Sequence, residues 1–296
     1  GDITDHAFGK LTLKARDTLA PNDAYGAGAL WLDEAYVRFR ADRLGILTIG
    51  RQRPRYGMGL VVDADRQALQ GVRGEFPGLA GGLGLEFFAG TGGEVDEGAG
   101  LLAGVSNDGY LSVRLAWLRP GLQLGANALL SGISQPNAHS YEGPYRGGPH
   151  PGRVNDESAG SVDLLASVWG RTIRAEYAVI AEHANRPVMP RRPGAPSSAR
   201  RPSALVASAE LLRTEQFSLT GFYSTADPGY DIYYSAINPY YEVLYGGGTP
   251  GSFIPFERWL RRPPVLSNVR VIGGSIRFEA ADTDLEIVYY VLDDNA

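Results

Sequence analysis

The sequence predicts an all-β protein: a single transmembrane antiparallel β-barrel of about fourteen strands, within a range of roughly 12 to 16. Three observations predict it. Segments of roughly eight to ten residues alternate apolar and polar side chains, the period-two signature of strands. Leu285, Ile287, Tyr289 and Val291 form one such stripe, and Ile173, Ala175, Tyr177, Val179 and Ala181 another. The opposite face carries Arg and Glu together inside the strands, as Arg174 and Glu176 do, which suits an apolar exterior toward lipid and a wet lumen. Short turns recur on one side and long loops on the other, the asymmetry of outer-membrane barrels.

In chain order, strands are expected near 8–17, 30–40, 44–51, 70–76, 82–90, 100–106, 110–118, 122–131, 160–169, 171–182, 203–213, 216–224, 269–279 and 284–293. Short turns are expected at Ala41-Asp42-Arg43, Asn107-Asp108-Gly109, Arg119-Pro120-Gly121, Gly170, Thr214-Glu215 and Ala281-Asp282-Thr283, most carrying the Gly, Asn, Asp or Pro of tight hairpins. Long connections fall near 18–29, 52–69, 132–159, 183–202 and 225–268. With short turns on both sides of the strand at 110–118, the strict alternation slips once.

Outward stripes include Leu11 and Leu13, Val37 and Phe39, Leu111 to Trp117, Leu122 to Ala128, Val162 to Val168, Leu205 to Leu211, and Ile276 with Phe278, each at alternate positions. The inward set holds Lys10, Lys14, Arg16, Glu34, Arg38, Arg40, Arg73, Glu75, Glu86, Arg114, Asp163, Arg174, Glu176, Glu210, Arg277, Glu279 and Glu286. A water-soluble sandwich is the alternative, but it would keep its inner face apolar and turn its charges to water. Aromatic residues such as Trp117, Trp169, Tyr177 and Tyr289 fall near strand ends or on outward positions, as in interfacial girdles. Ordinary strand propensity also enriches aromatics.

The 296 residues are read as one domain, 1–296, with 39 Gly, 19 Pro, 16 Tyr and no Cys. A net charge of −5 says little about partners, and no basic stripe interleaved with aromatics points to nucleic acid. The absence of Cys excludes disulfides and thiol chemistry and is compatible with an oxidising envelope. No run of 18 apolar residues offers a helical span. No signal peptide is visible, and Gly1-Asp2-Ile3 suits a mature or trimmed start.

The densest chemical cluster runs from Gly50 to Arg73 and contains Arg51, Arg53, Arg55, Arg66 and Arg73 with Asp63 and Asp65. Parity sets Arg51 on the outward side with Leu47 and Ile49, which demands a place at the rim or a bulge, because charge at mid-bilayer is costly. Asp33-Glu34-Ala35-Tyr36-Val37, Leu47-Thr48-Ile49-Gly50-Arg51-Gln52, Tyr56-Gly57 and the stretch Asp63 to Arg73 together resemble the strand–loop–strand pattern of alginate-export and related porin-type outer-membrane barrels. The likeness spans residues 33–76. It implies an outer-membrane channel with a charged lumen and does not specify an alginate substrate. The chain is shorter than those exporters, which argues against a conduit for a large polymer.

Arg38, Arg51, Arg53, Arg55, Arg66, Arg73 and Arg114 are accordingly the candidate pore-lining or constriction cations. Guanidinium groups bind carboxylate and phosphate bidentately, so anionic solutes suit them. The competing role is bracing: the inward list is nearly balanced in charge, and Arg–carboxylate pairs stiffen a wall. A second candidate is the aromatic loop 225–268, with Tyr230, Tyr233, Tyr234, Tyr240, Tyr241, Tyr245 and Trp259. It could line the mouth, meet a partner protein, or pack on itself. The loop 183–202 carries Arg186, Arg191, Arg192, Arg200 and Arg201 and could meet lipopolysaccharide; the simpler reading is a solvated loop.

No catalytic constellation is evident. His6, His139, His150 and His183 show no metal spacing, and no EF-hand loop is present, so neither cofactor nor metal is expected. The expected function is passive diffusion of small hydrophilic solutes, anionic ones among them, through the cell outer membrane in contact with its lipid and lipopolysaccharide. The alternative is a non-conducting barrel serving as anchor or partner-binding component of an envelope assembly.

Overall fold

A computed structural model describes residues 2–4, 6–16, 29–41, 45–64, 68–92, 108–131, 157–183, 201–227, 230, 237–238, 265–266, 269–280 and 283–294. One antiparallel sheet of 14 strands dominates it, each strand paired with the next one of the sheet in chain order. The strands are β1 (Asp2–Thr4), β2 (Ala7–Arg16), β3 (Ala29–Ala41), β4 (Gly45–Gln52), β5 (Leu69–Leu79), β6 (Leu83–Gly92), β7 (Asp108–Arg119), β8 (Leu122–Ser131), β9 (Glu157–Val168), β10 (Arg171–His183), β11 (Ser203–Arg213), β12 (Phe217–Ala226), β15 (Val269–Ala280) and β16 (Thr283–Asp294). A separate parallel pair joins β13 (Ile237–Asn238) to β14 (Val265–Leu266).

The alternation of short and long connections is stricter than the sequence reading expected. Asp108 and Gly109 are not a hairpin turn. They open β7, paired with Gly92 and Thr91 of β6. The connection between β6 and β7 is therefore a long one, and the slip in the expected pattern disappears. The strand expected at 100–106 lies outside the described residues. A further short turn, Ala80–Gly82, joins β5 to β6, with Gly81 and Gly82 both in the left-handed region.

The two faces divide as the alternation requires. Leu11, Leu115, Leu124, Val162, Tyr177, Ile272, Ile287 and Tyr289 are exposed on one side of the sheet. Thr48, Ser112, Arg114, Asn127, Ser161, Asp163 and Glu176 are buried on the other. Some aromatics belong to this second face rather than to a girdle: Tyr110 is buried against Phe88, and Tyr290 packs on Phe222.

The connection after β4 shows that the sheet curls. The Met58 amide lies 2.7 Å from Glu176 on β10, six strands along the sheet. Across a flat sheet that separation is about 29 Å at ~4.8 Å per strand, whereas the six residues from Gln52 to Met58 reach at most about 20 Å. The sheet must wrap around this segment, which makes its polar face the inner one.

Candidate functional site

The segment 53–64 folds into the space that the sheet encloses. It forms a small arm of its own. The Tyr56 amide donates to the Val62 carbonyl (3.0 Å), the Ala64 amide to the Pro54 carbonyl (3.0 Å), and the Gly59 amide to the Tyr56 carbonyl (2.9 Å). Gly57 and Gly59 sit at φ of 55° and 93°, a left-handed geometry that glycine adopts without steric cost. The alternation of these glycines with Met58 and Leu60 brings two backbone N–H groups onto one point, a concave anion-binding arrangement.

The anion at that point is the chain's own Glu176. One carboxylate oxygen accepts from the Met58 amide (2.7 Å) and the Leu60 amide (3.2 Å); the other accepts from the Ser161 hydroxyl at 2.6 Å. Glu176 is only 1 % exposed. Burying a carboxylate costs several kcal/mol, and three charge-assisted hydrogen bonds, about 1.5–3 kcal/mol each, offset it.

From Glu176 a polar ladder crosses four adjacent strands. Asn127 on β8 donates to Ser161 Oγ (2.8 Å) and to Asp163 Oδ2 (3.0 Å) on β9. Arg114 on β7 meets Asp163 bidentately, Nη1 to Oδ2 at 2.6 Å and Nη2 to Oδ1 at 2.7 Å, and also donates to Asn127 Oδ1 at 2.9 Å. The pair reaches over β8 because Gly125 stands between. A Cβ there would lie 2.6 Å from Arg114 Nη2 and nearer still to Asp163 Oδ2.

Apolar packing completes the seat. Leu60, Val61, Val62 and Ala64 of the arm join Leu129, Ala159, Ala178, Ile180, Ala204, Val206 and Ala226 of the wall in one buried cluster. The Tyr230 hydroxyl, beyond β12, donates to the Leu60 carbonyl at 2.9 Å, and Ser112 Oγ donates to the Tyr56 hydroxyl at 3.3 Å. Burial pushes both phenols well above their ordinary ionisation range, with further contributions from Glu86 at Tyr56 and Glu176 at Tyr230.

The sequence-nominated cations divide by position. Arg114 and Arg73 are braces: Arg73 donates through Nε to Glu86 (2.7 Å) and pairs with both Glu86 and Glu75. Arg53 holds the arm by donating to the Ala64 carbonyl at 3.2 Å. Arg55, which is exposed, pairs across the arm with Asp63 at 3.7 Å. Arg51 keeps the outward parity of Leu47 and Ile49 with no register shift in β4, and stands one residue from the strand's end, at the rim. Arg38 faces inward opposite Thr48. Arg66 lies outside the described residues. Of the loop's nominated aromatics only Tyr230 is among the described residues, and it is buried; Tyr233, Tyr234, Tyr240, Tyr241, Tyr245 and Trp259 lie outside.

Glu176, Asp163, Asn127, Ser161 and Gly125 were not singled out by sequence reasoning as one site. The available signal was Leu60-Val61-Val62, an apolar triple inside a charged loop. Among the described residues, no group of three or more His, Asp or Glu side chains is placed to hold a metal ion.

No family model matches this chain, and no curated protein matches it. Among solved structures it is similar to OmpF of Salmonella typhi, in a complex with daunomycin, with a TM-score of 0.54 and 12 % identity over 99 % of this chain and 81 % of that one. The shared property is the fold: an all-β antiparallel sheet of porin type.

Proposed function

We propose that the chain closes into a β-barrel in the outer membrane of a Gram-negative-type envelope and acts as a porin-like channel for small hydrophilic solutes, without enzymatic chemistry. The observation that carries this reading is an imbalance on the inner face. From β7 to β11 that face is largely buried beneath the 53–64 arm. On the opposite flank, inward Lys10, Arg40, Arg277, Glu279, Asp284 and Glu286 remain exposed. A one-sided arm narrows an interior and leaves a polar passage beside it, which selects by size and charge. The exposed Leu, Ile, Val and Tyr of the outer face suit contact with membrane lipid and lipopolysaccharide. The resemblance around residues 33–76 spans part of β3, β4, the arm and part of β5, and a charged interior is the property carried over from it.

Planar-bilayer recording on the purified full chain tests the proposal, with reversal potentials taken in a salt gradient. Steady unitary conductance is the expected result. A folded, heat-modifiable protein that conducts no ions would overturn it and favour the second reading, a plugged barrel that anchors or binds a partner. The specific observation behind that second reading is the density of the arm's packing, with Leu60, Val61 and Val62 all fully buried.

A further inference from the structure

Among the described residues, two neighbouring donors on the inner wall lack an acceptor. Arg38 Nε and Thr48 Oγ1 are both buried without a hydrogen-bond partner. They are register partners on β3 and β4. Both face inward, because Phe39, Leu47 and Ile49, on the opposite parity, are exposed outside. Thr48 is 1 % exposed. Its register neighbour on the other side is Arg73, whose guanidinium is taken by Glu75 and Glu86. The nearby Gln52 amide is also spent as a donor, on the carbonyls of Thr48 and Gly71. The Tyr36 ring lies 5.9 Å from the Arg38 guanidinium carbon, which steadies the cation without supplying a carboxylate. Leaving a buried donor without an acceptor is costly, and both of these donors are suited to an oxygen acceptor.

We infer that Arg38 and Thr48 form a subsite for a small oxyanion, the carboxylate or phosphate group of a solute. One oxygen accepts from Arg38 Nε–H and the Thr48 hydroxyl. A second meets the adjacent Nη–H, the side-on arrangement that guanidinium favours with planar oxyanions. Arg38 is half-buried rather than sealed, so an edge of its guanidinium is open to the inner space. The wall differs here from the brace at Arg114, where Asp163 already fills the corresponding place. The inference deepens the channel reading and rests on it for solute access alone.

The test uses the full chain folded in detergent and in planar bilayers, with inorganic phosphate and acetate as probes at constant ionic strength. In detergent, phosphate should raise the unfolding temperature of the wild type. The rise should be lost in Arg38→Gln, reduced in Thr48→Val, and retained in Arg119→Gln, an exposed arginine over Trp117. In bilayers, phosphate or acetate at millimolar levels should reduce chloride current in the wild type several-fold more than in Arg38→Gln. Arg38→Lys keeps the charge but not the Nε fork, so it should retain the chloride-to-potassium permeability ratio while losing the phosphate effect. Conductance with an equal phosphate response in wild type and Arg38→Gln would overturn the subsite and leave the channel standing. Absent conductance with an Arg38-dependent thermal shift would overturn the channel and leave the subsite. No thermal shift in the wild type would also overturn the subsite.

Discussion

At the scale of single residues, Gly125 shows how a position with no side chain governs two that have one. The Arg114–Asp163 pair crosses β8 directly above it, where a Cβ would meet both partners. Gly125→Ala should therefore separate the pair while leaving both charges buried. Breaking a buried pair costs about 3–5 kcal/mol, and the loss should appear as a lowered unfolding temperature in detergent, matched by Asp163→Asn and not additive with it. Tyr56 and Tyr230 give a pH signature. An unfolded tyrosine ionises near pH ~10, whereas burial holds these two phenols protonated beyond that. Their contribution is complete below pH ~10 and is lost as the pH rises from there toward the raised folded values. Thermal stability should stay level up to about pH 10 and fall above it. The double variant Tyr56→Phe, Tyr230→Phe should start lower, by about 1 kcal/mol per lost hydrogen bond, and show a shallower fall. Arg114 and Asp163 were legible from sequence as inward charges, because parity alone sets the face. Their pairing across an intervening strand was not, since that depends on register and on the bare backbone of Gly125.

At the scale of elements, the 53–64 arm is where sequence reasoning saw the chemistry but not the architecture. Five arginines from Gly50 to Arg73 drew attention to this region as a pore-lining or constriction cluster, and two of them, Arg53 and Arg55, lie in the arm. In the fold, Leu60-Val61-Val62 anchors it, and the exposed Arg55 is tied to Asp63. Alternation cannot find such an element, because an inward-folded loop has no periodicity and its contacts lie more than 100 residues away in sequence. The strand edges followed the same logic: Asp108-Gly109 looks like a turn locally, and only the pairing with β6 makes it a strand. If the arm narrows a passage, excising residues 57–62 and bridging the gap with two glycines should raise single-channel conductance severalfold. Glu176→Ala, which removes the acceptor for the Met58 and Leu60 amides, should give noisier and intermittently larger currents and make the arm sensitive to protease. Unchanged conductance in both variants would place the resistance elsewhere in the interior.

At the scale of the whole molecule, the question is which solvent each face of the sheet meets. Thirteen strands of 8 to 13 residues and a three-residue β1 at the edge form a sheet curled around its polar face. The sequence made this polarity readable, because apolar and charged residues alternate along nearly every strand. Among the described residues no pair joins β1 to β16, and closure is part of the proposal, since an open edge in lipid would leave backbone groups unsatisfied. Two adjacent residues of β16 separate a membrane barrel from a water-soluble shell. Ile287 points outward and is 55 % exposed; Val288 points inward, opposite Ser275. In a bilayer, Ile287→Arg sets a charge against hydrocarbon at a cost of about 2–4 kcal/mol near the midplane, while Val288→Arg enters a polar interior. The expected result is that Ile287→Arg folds poorly into lipid vesicles, scored by heat-modifiable gel mobility, and that Val288→Arg folds nearly as well as the wild type. A soluble protein with its core inside reverses the order, because an arginine at 287 would simply extend into water and one at 288 would be buried. The ranking of the two variants therefore decides between the two solvents.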